Sequence, residues 1–219
     1  MEIPTEKLKE ADEVRDIFWK VLSKKNLFEV DENGRILFAG FPYILLESSF
    51  FYIISQQINK LLGPVQKRIW YEFGITAGKD IALKVTDKFQ KSSLIGALET
   101  KLKTGLSFKE LLKLKGKGIE TLAGKMWGYG SYSGWVGEIE NIKIDPEKPE
   151  IVLRVVDGFE TRGYILRKVK VGEPTCHFLA GVSAGLFSYW LKKDLRGEET
   201  KCQSKGDPFC EIRICSAEE

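Results

Sequence analysis

All four cysteines of the chain lie beyond residue 175, and with one glutamate they form a spaced set: Cys176-x22-Glu199-x2-Cys202-x7-Cys210, with Gly206-Asp207 turning the chain between the last two cysteines. Three thiolates and one carboxylate are a competent tetrahedral zinc shell, since zinc takes sulfur at about 2.3 Å and carboxylate oxygen at about 2.0–2.2 Å. Such a shell forces residues distant in sequence to one point and ties the last helix to the last strands. It would add roughly 10 kcal/mol of folding free energy if it behaves like structural zinc peptides. Spacing alone also fits buried free thiols, or a disulfide chosen from the three connectivities that four cysteines allow. A closed four-ligand shell leaves no position for an activated water, so a metal here is structural rather than hydrolytic. Its formal charge is −2, and Lys201, Lys205 and Arg213 are near enough in sequence to offset it. Cys215 reads as a bystander. The sole histidine, His177, follows Cys176 and on a helix points about 100° away from it, as a surface or packing residue.

The remainder of the chain must supply the core around that set. A length of 219 residues predicts one domain, or one with an appended helix. With 43% hydrophobic and 30% charged residues, disorder, collagen-like repeats and disulfide-packed miniproteins are excluded. The net charge of +3 is too small a bias to indicate nucleic acid or a polybasic membrane anchor. The most apolar window, Ile36 to Ile54, contains Gly40, Pro42, Glu47, Ser48 and Ser49, so no membrane span is expected. The amino terminus shows no secretory pattern, and clustered cysteines suit a reducing compartment, so the cytoplasm is expected.

Leu8, Ala11, Val14, Ile17, Phe18, Val21 and Leu22 recur at helical steps after Thr5, a capping residue, which predicts an amphipathic first helix within residues 1–26. Phe28 and Val30, then Ile36 and Phe38, alternate about Asn33-Gly34, a hairpin pattern. Helices are expected from about Tyr43 to Leu62 and, after the Gly63-Pro64 break, from Val65 to Phe89. The second of these carries Gly74, Ala77, Gly78 and Ala82, which let another backbone approach closely. Shorter helices are expected between Ser92 and Lys125. Trp135 to Ile144 and Ile151 to Val156 read as an antiparallel pair, Phe159 to Val169 as either helix or strand, and Cys176 to Leu191 as a helix with small contact residues. Strands near Arg196 to Lys201 and Phe209 to Ile214 close the chain. Helices and strand pairs are grouped rather than alternating, which makes the fold class α+β, an antiparallel twisted sheet packed with several helices.

The run from Cys176 to Gly185, Glu199-Thr200-Lys201-Cys202 and Gly206-Asp207-x-x-Cys210 together resemble the carboxyl-terminal signature of the 4-vinyl reductase (vinyl-4-reductase) domain family. That family includes a small bacteriochlorophyll-biosynthesis protein and the sensor domains of phenol- and xylene-responsive transcription activators. Asp157-Gly158-Phe159-Glu160 falls where the family has an Asn-Ser-Phe-Glu type segment, and Gly34-Arg35-Ile36, Leu62-Gly63 and Phe73-Gly74 fall into its amino-terminal pattern. The resemblance covers residues 27–219 and leaves 1–26 as an appended helix, a candidate dimer contact. It implies a fold like the Golgi transport tethering-complex subunits and, more distantly, the nitric-oxide-signalling haem domains. It implies Cys176, Glu199, Cys202 and Cys210 as zinc ligands. It also implies a ligand pocket between helices and sheet. The tryptophan with which the phenol sensors donate to the ligand hydroxyl is replaced by Val155, so a pocket at Leu153 and Val155 is more apolar. Trp127, Tyr129, Trp135, Phe159 and Tyr189 are the aromatic candidates for its walls.

Three functions compete. The expected one is a non-catalytic domain that senses or carries a hydrophobic or aromatic small molecule, stapled by zinc, homodimeric like the sensor relatives, and passing its signal to a separate output protein. A second is a protein-interaction subunit like the tethering-complex relatives, using the first helix or the Lys109, Lys113, Lys115, Lys117 run. The third, an accessory to vinyl reduction on a tetrapyrrole, lacks support in the residues: the chain has no dinucleotide glycine fingerprint, no flavin motif and no acid and base pair near the metal set.

Overall fold

The computed structural model describes residues 28–38, 41–43, 47, 49–91, 123, 136–145 and 148–218. The expected first helix, the helices between Ser92 and Lys125, the lysine run, Trp127, Tyr129 and Trp135 lie outside the described residues.

Strands β1 (Phe28–Val30) and β2 (Ile36–Phe38) form the expected hairpin, Val30 opposite Ile36. Gly34 takes φ +76°, and the Asp31 carboxylate accepts from the backbone N–H groups of Asn33 and Arg35, both at 2.9 Å, so the turn is fixed by its own side chain. A third strand, β3 (Phe41–Tyr43), pairs antiparallel with β2 where a helix was expected. Pro42 belongs to β3, an edge strand, where a missing N–H is tolerated. The following helix, α1 (Phe50–Leu62), therefore begins later than its apolar pattern suggests. Gly63 ends it at φ +57°, its N–H donating to the Asn59 carbonyl at 2.8 Å.

After Pro64, α2 (Val65–Lys91) runs against α4 (His177–Leu191) through reciprocal glycines. A Cβ at Gly74 would sit on the Phe178 carbonyl oxygen, at Gly78 on that of Val182, at Gly181 on that of Tyr71 and at Gly185 on that of Ile75. The small residues of both helices thus face one another, and the backbones close to a distance no other side chain permits.

Strands β4 (Glu138–Asp145), β5 (Glu150–Val156), β6 (Leu195–Lys201) and β7 (Cys210–Ser216) form an antiparallel sheet in the order β4-β5-β7-β6. Helix α3 (Phe159–Leu166) resolves the ambiguous segment after β5. The inner face carries Ile139, Ile144, Ile151, Leu153, Val155, Ile212, Ile214 and Leu195, all buried. Each such side chain contributes roughly 1.5–3 kcal/mol. The outer face is charged: Glu140 pairs with Arg154, Arg213 with Glu150 and Lys201 with Glu211. One dry and one wet face is the pattern of an antiparallel sheet covered on one side. Helix α4 provides that cover; its backbone comes so near β6 that a Cβ at Gly197 would sit on the Ala180 carbonyl oxygen.

Candidate metal centre

The inward row of two strands changes chemistry at one end of the sheet. On β7 the buried positions run Ile214, Ile212, Cys210, and on β6 Leu195, Gly197, Glu199, so period-two alternation that delivers apolar residues to the core also delivers a thiol and a carboxylate. Glu199 stands opposite Ile212, and Cys210 opposite Val155. Cys202 follows β6 and opens the loop back to β7, and Cys176 caps α4 above them. The ligand atoms of Cys176, Glu199, Cys202 and Cys210 all lie within 4.8 Å of one another, and all four residues are buried.

The set fits a zinc ion on three observations. The sulfurs of Cys176 and Cys210 are 3.5 Å apart, near the roughly 3.8 Å edge of a tetrahedron with ~2.3 Å zinc–sulfur bonds. All four cysteines are free thiols. Glu199 Oε2 accepts the Cys176 N–H at 2.8 Å, while Oε1 is buried without a hydrogen-bond partner. A buried carboxylate oxygen left bare is costly unless a cation takes it. Zinc there would supply cross-linking and charge neutralisation, held by these four residues.

Without a cation the cluster settles unevenly. Cys202 is held well below the usual thiol range by hydrogen bonds from Cys176 and Cys210, with Ser204 at 2.9 Å and Thr175 at 3.5 Å adding to them. Hydrogen bonding to Cys202 and Cys210, and burial, push Cys176 well above it. Burial, then repulsion from Cys202, pushes Glu199 up to about 8. One anion is thus shared among groups that otherwise keep their protons, and a divalent ion would displace those protons.

A second tier holds the ligands in place. Glu160 of α3 is buried and accepts from the N–H groups of Phe178 at 3.0 Å and Leu179 at 2.7 Å, capping the helix that bears Cys176. Asp207 accepts the Cys202 N–H at 2.8 Å, Gly206 turns at φ +106°, and the Gln203 N–H donates to Cys210 Sγ at 3.4 Å. Thr175 and Ser204 share a hydrogen bond at 2.9 Å beside Cys202. Sequence reasoning gave Glu160, Thr175 and Ser204 no role, since a capping acid borrowed from another helix has no local spacing. Lys201 and Arg213 pair with Glu211 and Glu150 on the sheet's outer face. Cys215 is buried on β7 apart from the cluster, and His177 is half-buried beside it without joining it.

The expected pocket residues are not one group. Leu153 and Val155 are fully buried on the inner face of β5. Phe159 joins an aromatic cluster with Phe51, 4.4 Å between ring centroids, and Phe178, 5.8 Å. Tyr189 lies late in α4 with the Lys192 ammonium 3.9 Å over its ring.

Residues 151–215 match the vinyl-4-reductase domain family. The match runs from β5 through β7 and contains all four clustered residues. Two uncharacterized proteins of Methanocaldococcus jannaschii are similar: MJ0150, 43% identical over 44 residues, and MJ0745, 33% identical over 73 residues. These stretches are 20% and 33% of this chain, which spans 25% and 37% of the relatives' lengths. Among solved structures, the phenol-responsive sensory domain of the transcription activator PoxR, with phenol, superposes with a TM-score of 0.64 at 16% identity, covering 92% of this chain and 90% of that one. This likeness shows the fold to be that of the sensory domain. A vinyl-4-reductase family protein from M. jannaschii (TM-score 0.43, 16% identity, 78% and 82% coverage) and a trafficking protein particle complex subunit 3 from Naegleria fowleri covalently bound to palmitic acid (0.41, 16%, 77% and 91%) superpose less well. Among the described residues no helix is long and apolar enough to cross a membrane.

Proposed function

We propose that this chain is a non-catalytic domain that senses or carries a hydrophobic or aromatic small molecule, with a structural zinc held by Cys176, Glu199, Cys202 and Cys210. The observation that carries the zinc is the meeting of four buried ligand groups around a carboxylate oxygen with no other partner. A closed donor set with no open position supports a staple rather than a hydrolytic centre. The ligand half of the reading is supported by the sensory-domain fold and by the apolar inner face at Leu153 and Val155. Residues 27–219 make up the ligand-binding unit, with 1–26 as an appended helix that contributes to a homodimer, and the signal passes to a separate output protein. Free thiols at all four cysteines support the cytoplasm as its compartment. Native mass spectrometry of protein purified without added metal, compared with the denatured mass, tests both halves. Zinc with a co-purified small molecule in a dimer is the expected result, and absence of metal would sink the reading.

A protein-interaction role is the second reading. It is favoured by exposed apolar side chains on three helices: Leu61 at 82%, Val65 at 59%, Phe73 at 58% and Leu166 at 61%. Zinc with no small molecule, together with a stoichiometric protein partner, would move the assignment there.

A further inference from the structure

We infer that Ser183 is the polar anchor for the small molecule, whose class is then an apolar compound carrying one neutral hydrogen-bonding group such as a hydroxyl. The inference rests on the ligand-binding reading above and deepens it. Ser183 is 1% exposed in the middle of α4, and its Oγ has no hydrogen-bond partner. A buried helical serine ordinarily bonds the carbonyl four residues earlier, which here is Leu179, and this one does not. Leaving a hydroxyl both buried and unpaired is unfavourable, and such groups call for an explanation in use.

Its direction follows from the other faces of α4. Gly181 and Gly185 lie against α2, and Ala180 and Ala184 against Gly197 of β6. At about 100° per residue, Leu179, Ser183 and Leu186 share a third face, within about 60° of one another. A Cβ at Gly158 would lie 3.7 Å from Val155 Cγ1 and 3.8 Å from Leu179 Cδ2, so that third face looks toward β5 at Val155. Leu153, Val155, Leu179 and Leu186 are all buried there. Ser183 is thus the polar group among apolar neighbours, at the position where the strand offers Val155 in place of a donor. No ionised group flanks it on these elements, so a charged ligand would go unpaired, whereas a neutral hydroxyl could both donate to and accept from Oγ.

The test uses 2-naphthol and naphthalene as a matched pair, with binding followed by tryptophan fluorescence and calorimetry on the full chain, wild type and Ser183→Ala. The wild type should favour 2-naphthol by roughly three- to tenfold, the effect of one neutral hydrogen bond, and Ser183→Ala should erase that preference while retaining naphthalene binding. Thermal unfolding without ligand supplies an independent readout. Ser183→Ala should raise the midpoint, whereas Ser188→Ala on the same helix should lower it, because Ser188 Oγ accepts the Leu195 N–H at 3.2 Å. Both changes gain the same helix propensity, so the difference reports the unpaired hydroxyl. If both compounds bind and Ser183→Ala keeps the preference, the anchor is wrong and the pocket stands. If neither binds the wild type, the ligand-binding reading fails with it. A lowered midpoint for Ser183→Ala would make the hydroxyl structural and overturn the inference.

Discussion

Helices α1 and α4 are both rich in apolar residues, yet every residue of α4 from Leu179 to Ser188 is buried and α1 has no buried residue at all. The difference lies in side-chain size. Gly181 and Gly185 of α4 admit the α2 backbone, and Ala180 and Ala184 admit β6, so neighbours close on three sides. Helix α1 carries large side chains and meets its neighbours through ring contacts, Phe51 on Trp70 and Phe159, and Tyr52 on Tyr164 at 4.8 Å. Burial here follows the availability of close approach more than apolarity.

The largest effect should come from the cluster that fastens α4. Cys202→Ser is expected to lose the metal and several kcal/mol of stability, of order half or more of what structural zinc peptides gain. Metal analysis and thermal unfolding of the same samples check it, and a strong chelator on the wild type should reproduce it. Metal loss with an unchanged midpoint would show that the glycine contact alone holds α4. That contact is tested next by Gly181→Ala, whose Cβ would meet the Tyr71 carbonyl and lie 3.0 Å from Gly74 Cα. A cost of about 1–3 kcal/mol in urea unfolding is expected. Gly172→Ala, with nothing within 4 Å, should stay within about 0.5 kcal/mol.

Glu160 sharpens the comparison through pH. Burial pushes its carboxyl up to about 8 from an ordinary 4.5, against the pull of the Leu179 and Phe178 N–H groups. The folded state then holds a proton that the unfolded state releases, so this contribution is complete below pH 4.5 and is lost as pH rises toward 8. Urea midpoints measured from pH 5 to 8 should fall in the wild type, and Glu160→Gln should flatten that slope. An unchanged slope would place the titration elsewhere. The smallest effect is expected from Leu61→Ser on α1, within about 0.5 kcal/mol, because Leu61 is 82% exposed. A loss above about 2 kcal/mol would mean that the outer face of α1 is covered in solution, and sedimentation of the variant would show whether a second copy covers it.

Much of this was legible in one dimension. Local patterns sufficed where the physics is local: Asn33-Gly34 for the hairpin, glycines and alanines at helical spacing for the α2 and α4 contact, alternation for β4 to β7, and thiol and carboxylate spacing for the metal set. The start of α1 was misplaced because Phe41 to Tyr43 is apolar enough for a helix, and only pairing with β2 makes it a strand. Glu160 went unread because the donors it caps, at Phe178 and Leu179, are 18 and 19 residues onward, on a helix whose position depends on the whole core. The orphaned oxygens of Glu199 and Ser183 are likewise invisible in sequence, since an unmade hydrogen bond exists only once every neighbour has been placed. Residue identity determined which groups could bind a metal and which helices could touch. Tertiary packing decided which polar atoms were left waiting for a partner, because desolvation is a property of the assembled core and of no single residue.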